Sequence, residues 1–305
     1  LGMMLAVQFI VGQLNTPVNE IFSFIQSAQD AKISTERLAE IQDTTPEDTG
    51  EKLPVEEATF ADLEFSNVSF AYPGTPNIAV LKNISFTIPR GSTTAIVGTS
   101  GSGKTTILKL LMKFYNPVSG TINYGHVDLR QLQSAGWRAK CGAVLQDGFM
   151  FNETLMKNIA IGEDQIDVTR VYSACEMANL TDFVRQLPLG FNTKFGVNGQ
   201  GLSQGQKQRI LIARAIYKNP NLLLFDEATN ALDANNELQI MNNMASFFRK
   251  RTTVIVAHRL STVKNADNII VLEKGKIVEN GTHLELVERR GAYYTLIQNQ
   301  LELGN

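Results

Sequence analysis

A glycine-rich segment has the residue types and spacing that bind phosphate groups. The residues Gly98-Thr-Ser-Gly-Ser-Gly-Lys104-Thr105 match the pattern GxxxxGK(S/T) at every position. Glycines let several backbone N–H groups point at one phosphate, and the helix expected to follow adds the positive end of its dipole. Lys104 supplies a full charge to the β- and γ-phosphates, and the Thr105 hydroxyl can bind Mg²⁺. The segment, called the phosphate loop below, predicts a site for a nucleoside triphosphate.

Two acidic residues supply the second part of this chemistry. The apolar run LLLFD ends in Asp226, and Glu227 follows directly. In parallel sheets, ligands bind where the strands end, so Asp226 is predicted to hold Mg²⁺ through water. Glu227 is predicted to orient or deprotonate an attacking water. A strand followed by acids is more often an ordinary solvated turn; the phosphate loop makes the functional interpretation the stronger one.

The elements that must position these residues are an alternation of strands and helices. Strands are predicted at 63–72, 84–88, 93–98, 141–146, 222–226, 252–257 and 268–281, the last with a hairpin turn at Lys274-Gly275. Helical stretches separate most of them, which predicts a parallel sheet covered on both faces. Residues 154–190 look helical and lie between two sheet strands, which indicates an inserted helical subdomain.

The N-terminal region differs in character. Residues 1–12 are apolar for about a dozen positions, whereas a membrane span needs about 20. Apolar residues then recur at helical spacing to residue 41, which predicts an amphipathic helix bent near Pro17. The apolar start is either a short buried helix or the last turns of a membrane helix, and taken alone it favours the former. Residues 43–59 are rich in acids, proline and threonine, as in a linker.

Composition narrows the function classes. A chain of 305 residues predicts about two domains, and 43% hydrophobic with 19% charged residues is typical of a globular protein. The net charge of -2 disfavours nucleic acid as a partner. Two cysteines and three scattered histidines argue against a disulfide framework and against a Cys or His metal site.

A third motif carries a family resemblance. Leu202–Gln206, with the sequence LSQGQ, is followed by KQRILIARAIYKNPNLLLFDEATNALD. This resembles the signature of ATP-binding cassette (ABC) ATPases, and with the phosphate loop it covers nearly all of residues 61–300. The resemblance implies an α/β fold, a P-loop NTPase of the ABC type. Its expected parts are a mainly parallel sheet core, an antiparallel β subdomain, an inserted helical subdomain and a preceding N-terminal helix.

The resemblance also implies a domain plan. Residues 1–42 resemble the end of the last transmembrane helix of an exporter-type half-transporter with its cytosolic extension. Residues 43–60 are then the linker and 61–305 the ATPase domain, with the helical subdomain at about 154–218. The exporters most similar in character carry bacteriocins or peptides, with or without an N-terminal peptidase. The implied location is a bacterial plasma membrane, with the ATPase domain on the cytoplasmic face.

Residue roles follow from the same resemblance. Tyr72 resembles the aromatic residue that stacks on adenine, a contact that tolerates different bases. The implied catalytic residues are Glu227, His258 and Gln146. The implied Mg²⁺ ligands are Thr105, Gln146 and Asp226. The implied ATP-binding residues are Tyr72, Gly98, Thr99, Ser100, Gly101, Ser102, Gly103, Lys104, Thr105, Thr106, Ser203, Gly205, Gln206 and Asp233.

In the family, the signature faces the γ-phosphate held by a second ATPase domain, so ATP lies between two chains. The expected partners are therefore a second copy of this domain as a homodimer, a transmembrane domain of the same parent chain and an exported substrate, with a peptide as one candidate. Two departures are Gln204 in place of the commoner glycine and the lack of a glutamate in 195–201.

Three other functions fit the sequence less well than the ATPase engine of an exporter. A soluble ABC ATPase in nucleic-acid repair or translation has no use for the apolar start. A small-molecule kinase lacks the LSQGQ segment. A hydrolytically inactive ATP-binding module is disfavoured because Glu227 and His258 are both present.

Overall fold

The computed structural model describes residues 2–43, 46–55, 61–196, 201–227, 234–249, 251–257 and 263–303. The chain divides into two units, Leu1–Glu51 and Lys52–Asn305. The first contains helix α1 (Gly2–Gln42). The strands of the second are β1 (Leu63–Phe70), β2 (Leu81–Ile88), β3 (Thr93–Gly98), β4 (Ser119–Tyr124), β5 (Val127–Asp128), β6 (Cys141–Val144), β7 (Leu222–Asp226), β8 (Thr252–Val256), β9 (Asn268–Glu273) and β10 (Lys276–Gly281). Its helices are α2 (Lys104–Leu111), α3 (Ser134–Lys140), α4 (Leu155–Ile159), α5 (Val168–Met177), α6 (Thr181–Gln186), α7 (Gln204–Tyr217), α8 (Ala234–Phe248), α9 (His283–Arg289) and α10 (Ala292–Leu303).

A six-stranded sheet forms the centre of the second unit. Its strand order is β10-β9-β3-β8-β7-β6, and every pairing is parallel except that of β9 with β10. Strands β7 and β8 are buried along their whole length, as expected of near-continuous apolar runs covered on both faces. The predicted mainly parallel core is confirmed. Since parallel strands end at one edge, the ends of β3, β6 and β7 meet there.

A second sheet is antiparallel, with the order β2-β1-β4-β5. Its first two strands pack through Phe65 and Phe86, whose rings stack at 4.3 Å between centroids. Strand β4 was not predicted, because the sequence SGTINY has little apolar alternation and only two of its residues are buried. The first strand also ends at Phe70, two residues before the predicted end, so Tyr72 lies beyond it.

The predicted helical insertion is present between β6 and β7. It contains α4, α5 and α6, whose buried residues join one apolar cluster with those of α7. The interval of 154–190 is divided into short helices, each of five to ten residues. The insertion therefore packs against α7, the helix that begins at the signature segment.

The N-terminal helix overturns one expectation. Helix α1 is continuous over 41 residues and includes Pro17. Its apolar residues are exposed, Met3 to 85% and Phe9 to 67%, so the interpretation as a short buried helix was wrong. Apolar side chains at successive positions point to several sides of a helix, and no single neighbour could bury them all. Within the described residues, none of the helices meets the length and hydropathy needed to span a bilayer.

The buried strand that ends at Asp226 predicts a stability effect. Leu224 is 0% exposed in the middle of β7, so Leu224→Ala should lower the free energy of unfolding by about 2–5 kcal/mol. Urea denaturation followed by circular dichroism measures this loss. Leu284→Ala is the matched control, because that side chain is 73% exposed. Equal unfolding midpoints for the two variants would contradict the burial of Leu224.

Candidate functional site

The phosphate loop connects β3 to α2 and needs its glycines. Gly98 and Gly103 have φ angles of 152° and 107°, which side chains other than glycine rarely adopt. A Cβ at Gly98 would stand 2.0 Å from the carbonyl oxygen of Leu272. Gly103 precedes α2 without a side-chain cap, so the first N–H groups of α2 have no capping side chain. This arrangement is suited to binding an anion.

Lys104 lies folded over the phosphate loop. Its Nζ donates hydrogen bonds to the carbonyl oxygens of Gly98, at 2.9 Å, and Thr99, at 3.0 Å. The side chain is only 5% exposed. Burial lowers the pKa of Lys104, and the nearby carboxylates of Glu227 and Asp226 partly oppose this effect. A shielded cation of this kind is strongly attracted to a triphosphate, because little water screens it.

Asp226 and Thr105 place hard oxygen atoms together at the end of β7. The Thr105 hydroxyl donates a hydrogen bond of 3.2 Å to Oδ1 of Asp226. Asp226 is 1% exposed, and burial raises its pKa, while the bond from Thr105 and the charge of Lys104 act in the opposite direction. Carboxylate and hydroxyl oxygens are the donors that Mg²⁺ prefers, so these residues fit that ion.

Glu227 is held in a backbone conformation that is unusual for its residue type. Its φ is 51°. Its N–H donates a hydrogen bond of 3.0 Å to the carbonyl oxygen of Val256, and its own carbonyl oxygen accepts one of 3.1 Å from Nε2 of Gln208. Such conformations are uncommon outside glycine and often occur at functional sites. The exposed Gln146 follows the end of β6.

These groups line one cleft of about 380 Å³. It is bordered by Tyr72, Val80, Ser100, Gly101, Gly103, Lys104, Thr105, Thr106, Gln146 and Glu227. The structure thus brings together nine of the sequence-predicted site residues, from four separate parts of the chain. Gly98, Thr99, Ser102 and Asp226 do not border the cleft. Ser102 is a buried residue of the loop, and its hydroxyl has no hydrogen-bond partner among the described residues.

Tyr72 is fixed by its neighbours at the rim of this cleft. Its hydroxyl lies 3.1 Å from Oγ1 of Thr106, and its ring meets those of Phe70 and Tyr115 edge-on at 5.0 and 5.3 Å. The ammonium of Lys109 lies 5.6 Å from the ring centroid. A ring held this firmly can stack on a base with little loss of side-chain entropy.

The signature segment lies outside the cleft. Ser203 caps α7: its Oγ accepts from the N–H of Gln206 at 3.2 Å, and Oε1 of Gln206 accepts from the N–H of Ser203 at 2.8 Å. Ser203 is exposed and Gly205 half-buried, and neither they nor Gln206 border the cleft. The predicted residues Asp233 and His258 lie outside the described residues.

The sequence did not indicate Val80, which borders the cleft, or two residues that contact the cleft's lining. Gln208 binds the backbone of Glu227, and Lys109 faces the ring of Tyr72. The signal for Lys109 was its position on α2 four residues after Thr105, which places both on one face of the helix. Gln208 stands five residues after Ser203, but no spacing rule connects it to Glu227.

The comparisons with known proteins agree with this geometry. The ABC transporter family profile matches residues 81–230. The chain is 42% identical over 305 residues to a leukotoxin translocation ATP-binding protein, LktB, of Mannheimia glucosida. It is 41% identical to the LktB protein of Bibersteinia trehalosi. The match covers all of this chain, which spans 42% of the length of either curated relative.

A solved structure gives the same result for the fold. The chain superposes on a bacterial Atm1-family ABC exporter with ATP bound, with a TM-score of 0.82 and 38% identity. The superposition covers 89% of this chain and 47% of that one. With the ABC fold, the phosphate loop, the LSQGQ segment and these relatives in agreement, the chain is shown to contain an ATP-binding domain of the ABC transporter family, and domains of this family are ATPases.

Proposed function

We propose that this domain is the ATP-hydrolysing engine of a membrane exporter, with ATP and Mg²⁺ held in the cleft beside the phosphate loop. The observation that carries the proposal is the convergence of Lys104, Thr105, Gln146 and Glu227 on one cleft, with Tyr72 at its rim. Together these residues supply a positive charge, metal ligands, an acid that orients water and an aromatic ring on which a nucleobase can stack. A domain that only bound ATP would not need the acid that orients water.

Each residue then has a distinct task. Lys104 and the first N–H groups of α2 hold the β- and γ-phosphates, and Tyr72 stacks on adenine. Thr105, Asp226 and Gln146 hold Mg²⁺, directly or through water, and the ion when bound neutralises phosphate charge. Glu227 orients the attacking water and accepts its proton. The water oxygen bonds to the γ-phosphorus, and the bond from the γ-phosphorus to the β–γ bridging oxygen breaks, so that this oxygen leaves with ADP. The products are ADP and inorganic phosphate.

The second half of the site comes from a second chain. Support for this lies in the exposed position of Ser203 at the start of α7, away from its own chain's cleft. In a dimer, Ser203 and Gly205 at that helix end would face the partner's γ-phosphate, as helix N-termini do. ATP thereby holds two domains together, and hydrolysis releases them. Asp233 and His258 keep their proposed roles across the interface and beside the γ-phosphate.

The exporter assignment rests on the N-terminal unit and the relatives. Helix α1 exposes many apolar residues, which is expected if residues 1–42 continue a transmembrane helix. Residues 43–60 are proposed as the linker to the ATPase domain at 61–305. The domain would face the cytoplasm at a bacterial plasma membrane. A peptide is the proposed cargo class, because the sequence resembles peptide exporters; the relatives are named for the translocation of a leukotoxin.

Lys104→Ala should weaken ATP binding by about 2–5 kcal/mol, because it removes a buried positive charge from the phosphates. Calorimetric titration with ATP and Mg²⁺ measures the affinity. Lys276→Ala is the control, since Lys276 is exposed on the β10 hairpin. Unchanged affinity in a folded Lys104→Ala variant would remove this lysine from the site.

Glu227→Gln should retain ATP but hydrolyse it about 10²–10⁴ times more slowly, because the amide cannot accept the proton of the water. Phosphate release gives the rate, and sedimentation should show that dimers accumulate with ATP. Glu288→Gln, an exposed position, is the control. Wild-type turnover by Glu227→Gln would show that another group activates the water.

Ser203→Arg should leave ATP binding to the single chain intact and prevent dimer formation, because a bulky cation would occupy the anion site offered to the partner. Gel filtration of Glu227→Gln with and without Ser203→Arg measures the dimer. Ser246→Arg is the matched control at an exposed position. An ATP-dependent dimer that survives Ser203→Arg would refute this role.

A further inference from the structure

Helix α7 contacts three functional parts of the molecule. It begins directly after Ser203 of the signature segment. Its residue Gln208 binds the backbone of Glu227. Near its other end, Arg214 binds the chain segment that follows Gln146. Fourteen helical residues form a rod of about 21 Å, so a shift at one end moves the other contacts with it.

Arg214 is a half-buried cation whose partners are mainly backbone carbonyls. Its Nε donates to the carbonyl of Asn158 at 2.8 Å, and its Nη1 donates to that of Phe149 at 2.9 Å. The guanidinium also lies 5.8 Å from the ring centroid of Phe151. Burial lowers the pKa of Arg214 to about 10. The planar guanidinium suits this position because its donors have fixed directions and can form hydrogen bonds to two carbonyl oxygens at once.

The segment gripped by Arg214 is organised around one amide side chain. Asn158 is fully buried, and its Oδ1 accepts from the N–H of Phe151 at 2.9 Å. Its Nδ2 donates to the carbonyls of Phe151, Glu153 and Thr154. Residues 149–158 are therefore a stiff piece attached to α7. This piece starts three residues after Gln146, so the position of Gln146 depends on that of α7.

Gln208 makes the corresponding contact to the acid. The 3.1 Å bond from its Nε2 reaches the carbonyl of Glu227, whose φ of 51° is otherwise unfavourable. A bond to that carbonyl stabilises the turn that aims the carboxylate into the cleft. Movement of α7 would therefore alter the aim of Glu227 as well.

We propose that α7 relays closure at one nucleotide site to the catalytic groups of the other, with Gln208 and Arg214 as positioning residues. The inference rests on the proposed two-chain function. In that arrangement Ser203 serves the ATP held by the partner, while Gln146 and Glu227 serve the chain's own ATP. One helix thus connects two sites, and each site is completed for hydrolysis when the other has closed.

Gln208→Met tests the relay, because it keeps the length of the side chain and removes the N–H donor. With the 305-residue chain, kcat should fall about tenfold, within the range that coupling residues show, while KM for ATP changes less than twofold. The Hill coefficient for ATP hydrolysis should fall from above 1 to 1. Gln165→Met, at an exposed position outside α7, should behave as wild type.

Arg214→Lys provides a second variant if Gln208→Met fails to fold, as judged by circular dichroism. Lysine keeps the positive charge but cannot form both hydrogen bonds to the carbonyls of Asn158 and Phe149. We therefore expect the same changes in kcat and in the Hill coefficient. An unchanged kcat and Hill coefficient in a folded variant overturns the relay. Dimer formation by the Glu227→Gln chain separates the relay from the proposed function. If this chain forms ATP-dependent dimers while Gln208→Met and Arg214→Lys behave as wild type, only the relay fails. If it forms none, both fail.

Discussion

The nucleotide site depends on two buried charged side chains beside the place where the triphosphate is proposed to bind. Lys104 and Asp226 are both shielded from water, and burial disfavours the charged form of each. Their mutual attraction offsets part of this cost, and in the proposed complex a triphosphate with its Mg²⁺ supplies the missing partners. The phosphate loop, the uncapped start of α2 and the left-handed Glu227 serve the same requirement, since each contributes residues to the lining of the cleft.

The separation of the signature from the cleft follows from the topology. The phosphate loop, Gln146 and Glu227 follow strands of one parallel sheet and so meet at its edge. The signature caps α7, which carries the helical insertion and presents Ser203 to solvent. In the proposed dimer, each chain therefore offers its cleft to one ATP and its signature segment to the other. A head-to-tail pair of copies would complete both surfaces at once.

Much of the fold and of the site could be predicted from the sequence. The strands at Thr93–Gly98 and Leu222–Asp226 have the predicted bounds, because a buried parallel strand is a continuous apolar run. Strand β4 escaped prediction because its residues are mostly polar or small. The burial expected for the start of α1 was wrong, since periodicity does not show what covers an apolar surface. The contacts of Gln208 and Arg214 join residues 19 and 65 positions apart and follow no local pattern.

A cross-linking measurement tests the shared site most directly. One preparation would carry Ser100→Cys in the phosphate loop and the other Ser203→Cys in the signature, both exposed positions; the native Cys141 and Cys175 are buried. The two are mixed with ATP and Mg²⁺ in the Glu227→Gln background and treated with a short thiol cross-linker. The account predicts a covalent dimer that forms with ATP, and not without it, from the mixed chains. Absence of that product with ATP bound would contradict a site built from two chains.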